Sequence, residues 1–202
     1  MPRHADHGAR RRQITGAART LIARDGLSSA SFANVSAEAG VSVRLIQYYF
    51  GDKKSLLHAV FQAVIGDIAA RFPTTAFDGA TTRRDPRETV LTILEALLPM
   101  TAAQRADAIV LASFHAATLT TADVETRHTT EPLRILHREL LPVLTDAASG
   151  EPSPDDTAAI ADALLLASTG LAQSMLAGYT APDNARRILR LLVARLIPST
   201  DT

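Results

Sequence analysis

Residues 31–54 read SFANVSAEAGVSVRLIQYYFGDKK, and this stretch decides the fold. Ser31 is a residue type that caps helices, and Phe32, Val35 and Ala39 follow at spacings that place them on one helical face. Gly40 comes directly after the last periodic residue, where a left-handed C-terminal cap is needed and glycine adopts it without steric cost. Val41 then plugs the space between two helices, and Ser42 caps the second. In that second helix Ile46 and Phe50 lie four apart and turn inward, which leaves Val43, Arg44 and Gln47 facing outward. Two short helices joined by a glycine turn form a helix-turn-helix, whose second helix is shaped to enter a DNA major groove. Arg is suited to guanine and Gln to adenine, each through two hydrogen bonds, and Val43 suits a thymine methyl. The same pattern also fits a capped helical hairpin in an unrelated bundle.

The residues around this hairpin resemble the DNA-binding domain of TetR-family transcriptional regulators. The resemblance runs from about Arg11 to Phe61. It includes a first helix with Ile14, Ala17, Ala18 and Leu21, and the Asp25-Gly26 stop. It continues through Ala39-Gly40-Val41-Ser42, Tyr48-Tyr49-Phe50, and Lys53 followed by Leu56-Leu57. It implies an all-α fold of about nine helices: a three-helix DNA-binding domain, then a helical domain for ligand sensing and dimerisation. It also implies base contacts from Val43, Arg44 and Gln47, and phosphate contacts from Ser31, Ser42, Tyr48, Tyr49 and Lys53. Three positions depart from the family's pattern. Arg44 stands where a small residue is common and Gln47 where Tyr is common, and Leu45 replaces a frequent phosphate-binding Thr. These departures bear on the operator sequence, not on the docking geometry.

Charge follows the same division. The chain balances at 21 basic and 21 acidic residues. Residues 1–58 carry nine basic and four acidic side chains, a net +5, which leaves 12 against 17, a net −5, for residues 59–202. A basic segment joined to an acidic one is the pattern expected when one end meets phosphates. Arg10-Arg11-Arg12 opens the first helix, either touching backbone phosphates or simply solvated. Residues 1–9 are expected to form a disordered tail, 10–58 the DNA-binding domain and 59–202 the ligand-sensing and dimerisation domain.

Beyond Phe61 the sequence is rich in Ala and Leu with helical periodicity. Helices are expected over 53–72, 87–98, 102–119, 122–144, 154–177 and 182–197. Pro132 and Pro142 are read as kinks or breaks in the fourth of these. The stretch 73–86 and the segment 147–154 read as loops. The last two helices carry more apolar residues than one face needs, so each is expected to bury two sides, one against its own core and one against a partner. Leu164, Leu171, Ile188, Leu192 and Leu196 are the expected dimer contacts, in keeping with the family's four-helix interface. The alternative is a fully buried core helix in a monomer.

Polar or aromatic residues within apolar segments are the candidates for an effector pocket: Phe114, His115, Thr118, Gln173 and Met175. His115 fits equally a core histidine bonded to a backbone carbonyl, and Gln173 fits equally a hydrogen bond across a dimer. Leu97 to Leu119 is similar to the BetI-like branch of the family. With no Trp and few aromatics, however, the chain offers little for a choline-type cation cage.

No nucleophile elbow, phosphate loop, metalloprotease helix or dinucleotide fingerprint is present, so an enzyme is the weaker class and no catalytic residue is expected. No cofactor or metal is expected, because Cys is absent and His4 and His7 lack further ligands nearby. No apolar run of membrane-spanning length and no signal-peptide pattern appear, which places the protein in the cytoplasm. The expected partners are a double-stranded operator, a second copy of the chain and a small-molecule effector. A ligand-independent DNA-binding protein is the competing reading, and the size of the acidic C-terminal part weighs against it.

Overall fold

The computed structural model describes residues 3–72, 85–120, 124–147 and 153–197. Within them the chain forms nine α-helices and no strand. These are α1 (Arg3–Asp25), α2 (Phe32–Ala39), α3 (Val43–Phe50), α4 (Lys53–Ala69) and α5 (Pro86–Ala96). After them come α6 (Ala102–Ala117), α7 (Thr126–Ala147), α8 (Pro154–Leu176) and α9 (Pro182–Leu196). The loops expected at 73–86 and 147–154 lie almost wholly outside the described residues.

Local chemistry accounts for the helix ends. Ser31 and Ser42 are extended and accept from the backbone amides of Asn34 and Leu45 at 3.1 and 3.2 Å, so each caps its helix as read. Gly40 has φ 64 and ψ 34, the left-handed cap, and the amides of Gly40 and Val41 both close onto Ser36 O. Asp52 caps α4 by accepting from Ser55 N at 2.8 Å, and this bond draws the Asp52 carboxyl below the usual carboxylate range.

Two compact units result, and packing does not follow chain order. The first joins residues 1–67 to 105–129, the second 68–104 to 130–202. The boundary expected at residue 58 therefore falls inside α4, and most of α6 packs with the N-terminal helices. In the first unit Ile14, Ala18 and Ile22 of α1 are buried with Val35, Ile46, Leu56, Val60 and Phe114. Gln13 ties α1 to the end of α2 by donating to Ala39 O at 2.7 Å. In the second, Val90, Ile93, Leu94, Leu140, Leu164, Leu165, Leu189 and Val193 form one apolar core from α5, α7, α8 and α9. Ser168 donates to Leu94 O within it. The Arg87 guanidinium donates to the carbonyls of Ala194 and Ile197, satisfying orphan acceptors at the end of α9.

Two expectations are corrected. The first concerns residues 1–9: α1 begins at Arg3, and the ring of His7 packs 4.5 Å from that of Tyr49. That tertiary contact gives the first turns a partner, which a reading of local periodicity does not contain. The second concerns breaks in α7: of the kinks or breaks expected at Pro132 and Pro142, breaks do not occur, since the helix runs through both. Each proline costs about 3 kcal/mol in a helix interior. Burial of Leu136, Leu140, Val143 and Leu144 in the second unit opposes that cost.

Gly40 tests the turn. A Cβ there would meet nothing within 4 Å, so the penalty of substitution is conformational alone. Gly40→Ala should lower unfolding free energy by about 1–2 kcal/mol, and Gly40→Asn by less, since Asn tolerates the left-handed region. Chemical denaturation of both variants reads the difference.

Candidate nucleic-acid interface

The eight residues of α3 divide sharply into two faces. Ile46 and Phe50 are buried at 0% and 6% exposure. Val43, Arg44, Gln47 and Tyr48 are exposed, Tyr48 at 75%. The three residues expected to read bases therefore share the outer surface of a helix that is anchored by its inner face. Tyr49 is half-buried and edge-on to Tyr48, with ring centroids 5.4 Å apart, which leaves the two phenols at the helix end. Ser31 and Ser42 use their oxygens as cap acceptors, and each hydroxyl hydrogen can still donate outward to a phosphate oxygen. Lys53 is half-buried at the start of α4.

Arg11, left undecided by the sequence, has a defined place. Its guanidinium carbon sits 4.6 Å above the Phe50 ring, and Nη1 donates to Tyr49 O at 3.2 Å. It thus holds the C-terminal end of α3 by a cation–π contact and a carbonyl bond. Nothing local to residue 11 signals a partner 38 positions away.

A second anchor also escaped the sequence. Arg19 on α1 forms ion pairs with Asp67 on α4, at 2.5 Å, and with Asp107 on α6. The Asp107 side chain is only 4% exposed. Burial disfavours the Arg19 charge, yet hydrogen bonds and Coulomb attraction from Asp107 and Asp67 outweigh it and raise its pKa above the ordinary value. One planar guanidinium therefore joins three helices.

The residues expected to form an effector pocket are distributed over the two units. Phe114, His115 and Thr118 belong to the first unit, Gln173 and Met175 to the second. Phe114 is buried edge-on to Phe61, with centroids 5.2 Å apart. Thr118 donates to His115 O at 2.7 Å, which accounts for its hydroxyl. Gln173 is exposed and Met175 lies in the core of the second unit. The first unit does contain a cavity of about 400 Å³, whose walls include Phe61, Phe114, Lys54, His58 and His128. The His58 and His128 rings are 4.5 Å apart, and burial, then the charge of His128, hold His58 below the usual imidazole range against the pull of Glu125. Among the described residues no group of three or more His, Asp or Glu is placed to hold a metal ion.

The expected dimer residues also divide. Leu164 and Leu171 are buried in the unit's own core, while Ile188, Leu192 and Leu196 are half-buried. The open apolar positions are Leu166 at 68% and Leu191 at 55% exposure. A helix with two apolar faces does not declare which one turns inward, and here the 164/171 side won. Among the described residues α8 is also the one helix long and apolar enough to cross a membrane, by length and composition. Only 28% of its most apolar window is buried.

Comparison with known proteins follows this geometry. Residues 14–60 match the model for bacterial regulatory proteins of the tetR family. Residues 86–198 match that for the C-terminal part of BetI-type transcriptional repressors, over more than half of the chain. The chain belongs to the TetR family of transcriptional regulators. That is a family of regulators, not of enzymes. The regulator PksA of Bacillus subtilis (strain 168) is 34% identical over 101 residues, 49% of this chain and 46% of that protein. BetI of Burkholderia lata is 31% identical over 96 residues, 48% of each. The chain thus spans about half the length of these curated TetR-type relatives. A transcriptional regulator from Rhodococcus sp. Rha1 shares the fold with TM-score 0.79 at 21% identity, over 92% of this chain and 95% of that one. A regulator from Saccharomonospora viridis in complex with choline does so with TM-score 0.73 at 21% identity, over 93% and 96%.

The Arg19 anchor makes a stability prediction. Arg19→Met removes one charge-assisted partner of the buried Asp107 and should lower stability by about 1.5–3 kcal/mol. Adding Asp107→Leu should restore part of that loss, because an apolar pair avoids the desolvation cost. Denaturant titration of the single and double variants measures both effects.

Proposed function

We propose that this TetR-family chain is a repressor that binds a palindromic DNA operator as a homodimer and is released by a small-molecule effector. The observation that carries the reading is the division of α3 into a buried Ile46/Phe50 side and an open Val43, Arg44, Gln47 side. A helix anchored in this way presents Arg and Gln rigidly, as direct readout of base edges requires. Tyr48, Tyr49, Ser31, Ser42 and Lys53 serve the phosphates on either side. The net +5 of residues 1–58 supplies the sequence-independent attraction.

One α3 reads too few base pairs for a selective site, and two copies related by a two-fold axis read paired half-sites. The uncovered apolar surface of α8 and α9, with Leu166 and Leu191 exposed, supports a second copy as the element that covers it. Ile188, Leu192 and Leu196 flank that surface. The effector favours one of two dimer states, and α4, which leads out of the DNA-reading unit, is the lever; its leverage equals the effector's differential affinity for the two states. The cytoplasm, where DNA is reached, is the compartment. Choline in the Saccharomonospora viridis complex belongs to a neighbour at 21% identity and does not extend to this chain.

Selection of bound sites from random DNA tests the reading, and a palindromic consensus is expected. No enrichment over random sequence would overturn it. On the selected site Arg44→Ala should cost about 1–3 kcal/mol and relax preference at one position. Lys53→Ala should weaken binding to all sequences and reduce the slope of affinity against salt by about one. Leu166→Arg with Leu191→Glu should convert the dimer to monomer in sedimentation and abolish binding to the two-half-site operator while the helical signal is kept.

A further inference from the structure

The cavity of the first unit has a consistent chemical polarity. Its interior is apolar: Leu57 and Phe61 from α4 and Phe114 from α6, the two phenyl rings set edge to face. Its other side gathers cationic and titratable groups from three elements. Lys54 and His58 lie one turn apart on α4, Arg11 comes from α1, and His128 and Glu125 come from the start of α7. Among the described residues Lys54 has no carboxylate at ion-pairing distance, whereas Glu125 Oε2 sits 3.8 Å from His128 Nε2. The balance around the opening therefore favours an anion. A quaternary ammonium would meet two permanent positive charges and one carboxylate already beside a histidine.

Arg11 connects this cavity to the DNA-reading helix. Arg11 is among the cavity's lining residues, and its guanidinium donates to Tyr49 O and stacks on Phe50 at the end of α3. A carboxylate is a stronger partner for guanidinium than a peptide carbonyl, because it adds an opposite charge and can accept two parallel hydrogen bonds. An anion in the cavity thus competes for the group that holds α3.

We propose that this cavity binds an amphiphilic organic carboxylate, its apolar body against Phe61 and Phe114 and its charge at Lys54, His58 and Arg11. Withdrawal of Arg11 from Tyr49 O loosens the recognition helix. The proposal rests on the ligand-responsive reading above and gives it a chemical class and a site. No covalent chemistry is involved. Protonation of His58 adds a positive charge at the opening, and Lys54, Arg11, His128 and Glu125 are the other charged or titratable groups facing it. Because burial and His128 hold His58 neutral at pH 7, affinity for the anion rises as pH falls through the His58 titration.

The test uses the full chain with benzoate, 2-naphthoate and 4-phenylbutyrate, their neutral amides, and choline. Calorimetry reads binding, and fluorescence anisotropy on the selected operator reads release. At least one acid should bind saturably, more tightly than its amide and than choline, with affinity increasing as pH falls through and below the ordinary histidine range. Lys54→Met and, separately, His58→Gln should each weaken that acid about tenfold or more, the effect of losing one charge-assisted hydrogen bond. Arg11→Met should largely remove the acid's effect on operator affinity. Acids that bind no better than amides, a preference for choline, or unchanged affinity in both the Lys54 and His58 variants would each overturn the proposal. Full operator release by the acid in Arg11→Met would overturn the coupling. Failure to select any operator defeats the regulator reading instead, and calorimetry still decides the cavity on its own.

Discussion

The Arg19 fork is the constraint on which the first unit depends. A single guanidinium on α1 reaches Asp67 on α4 and Asp107 on α6, and Asp107 is almost wholly buried. A carboxylate in that position is tolerable only while its charge is compensated, and Arg19 brings part of that compensation to α6 from α1. The consequence is that a helix far along the chain becomes part of the body that carries α3. Phe114, about two turns further along the same face of α6, then meets Phe61 of α4 and closes one wall of the cavity. The same fork therefore supports the orientation of the reading helix and the existence of a cavity beside it.

Around that anchor the DNA-facing residues divide between rigid and adjustable support. Ser42 and Gly40 set the entrance of α3 through backbone bonds that leave little freedom. The exit is held by Arg11 through Tyr49 O and the Phe50 face, an exposed contact that a competing anion can reach. Stability and responsiveness thus sit at opposite ends of one eight-residue helix. The entrance is fixed by caps, and the exit by the buried Phe50 together with the Arg11 contacts.

How much was legible in the sequence depended on the range of the interaction. Helix existence, the glycine cap at 40, both serine caps and the two faces of α3 follow from contacts within four residues, and these were read correctly. Family membership was legible for the same reason, since the motif is a local one. The helical tail at 3–9 was missed because its partner, Tyr49, lies far away in sequence. Local propensity at Pro132 and Pro142 left a kink and a break both open, and the buried leucines of α7, which act through tertiary packing, favour a continuous helix. Polarity within an apolar segment does not say which unit a residue joins or what satisfies it: Gln173 is exposed in the second unit, and Thr118 of the first bonds its own helix.

By itself the sequence determined the all-helical architecture, the helix-turn-helix with its caps, and the outward placement of Val43, Arg44 and Gln47, because all three depend on spacing along one or two turns. Only the tertiary structure decided that Leu164 and Leu171 turn inward while Leu166 and Leu191 stay open. It alone joined α6 to the N-terminal helices and brought Lys54, His58, Arg11 and His128 around one cavity. Those outcomes rest on charges and side chains paired across tens of residues. Such pairing is set by which buried charge finds compensation and which apolar face finds a core, and neither is written in local periodicity.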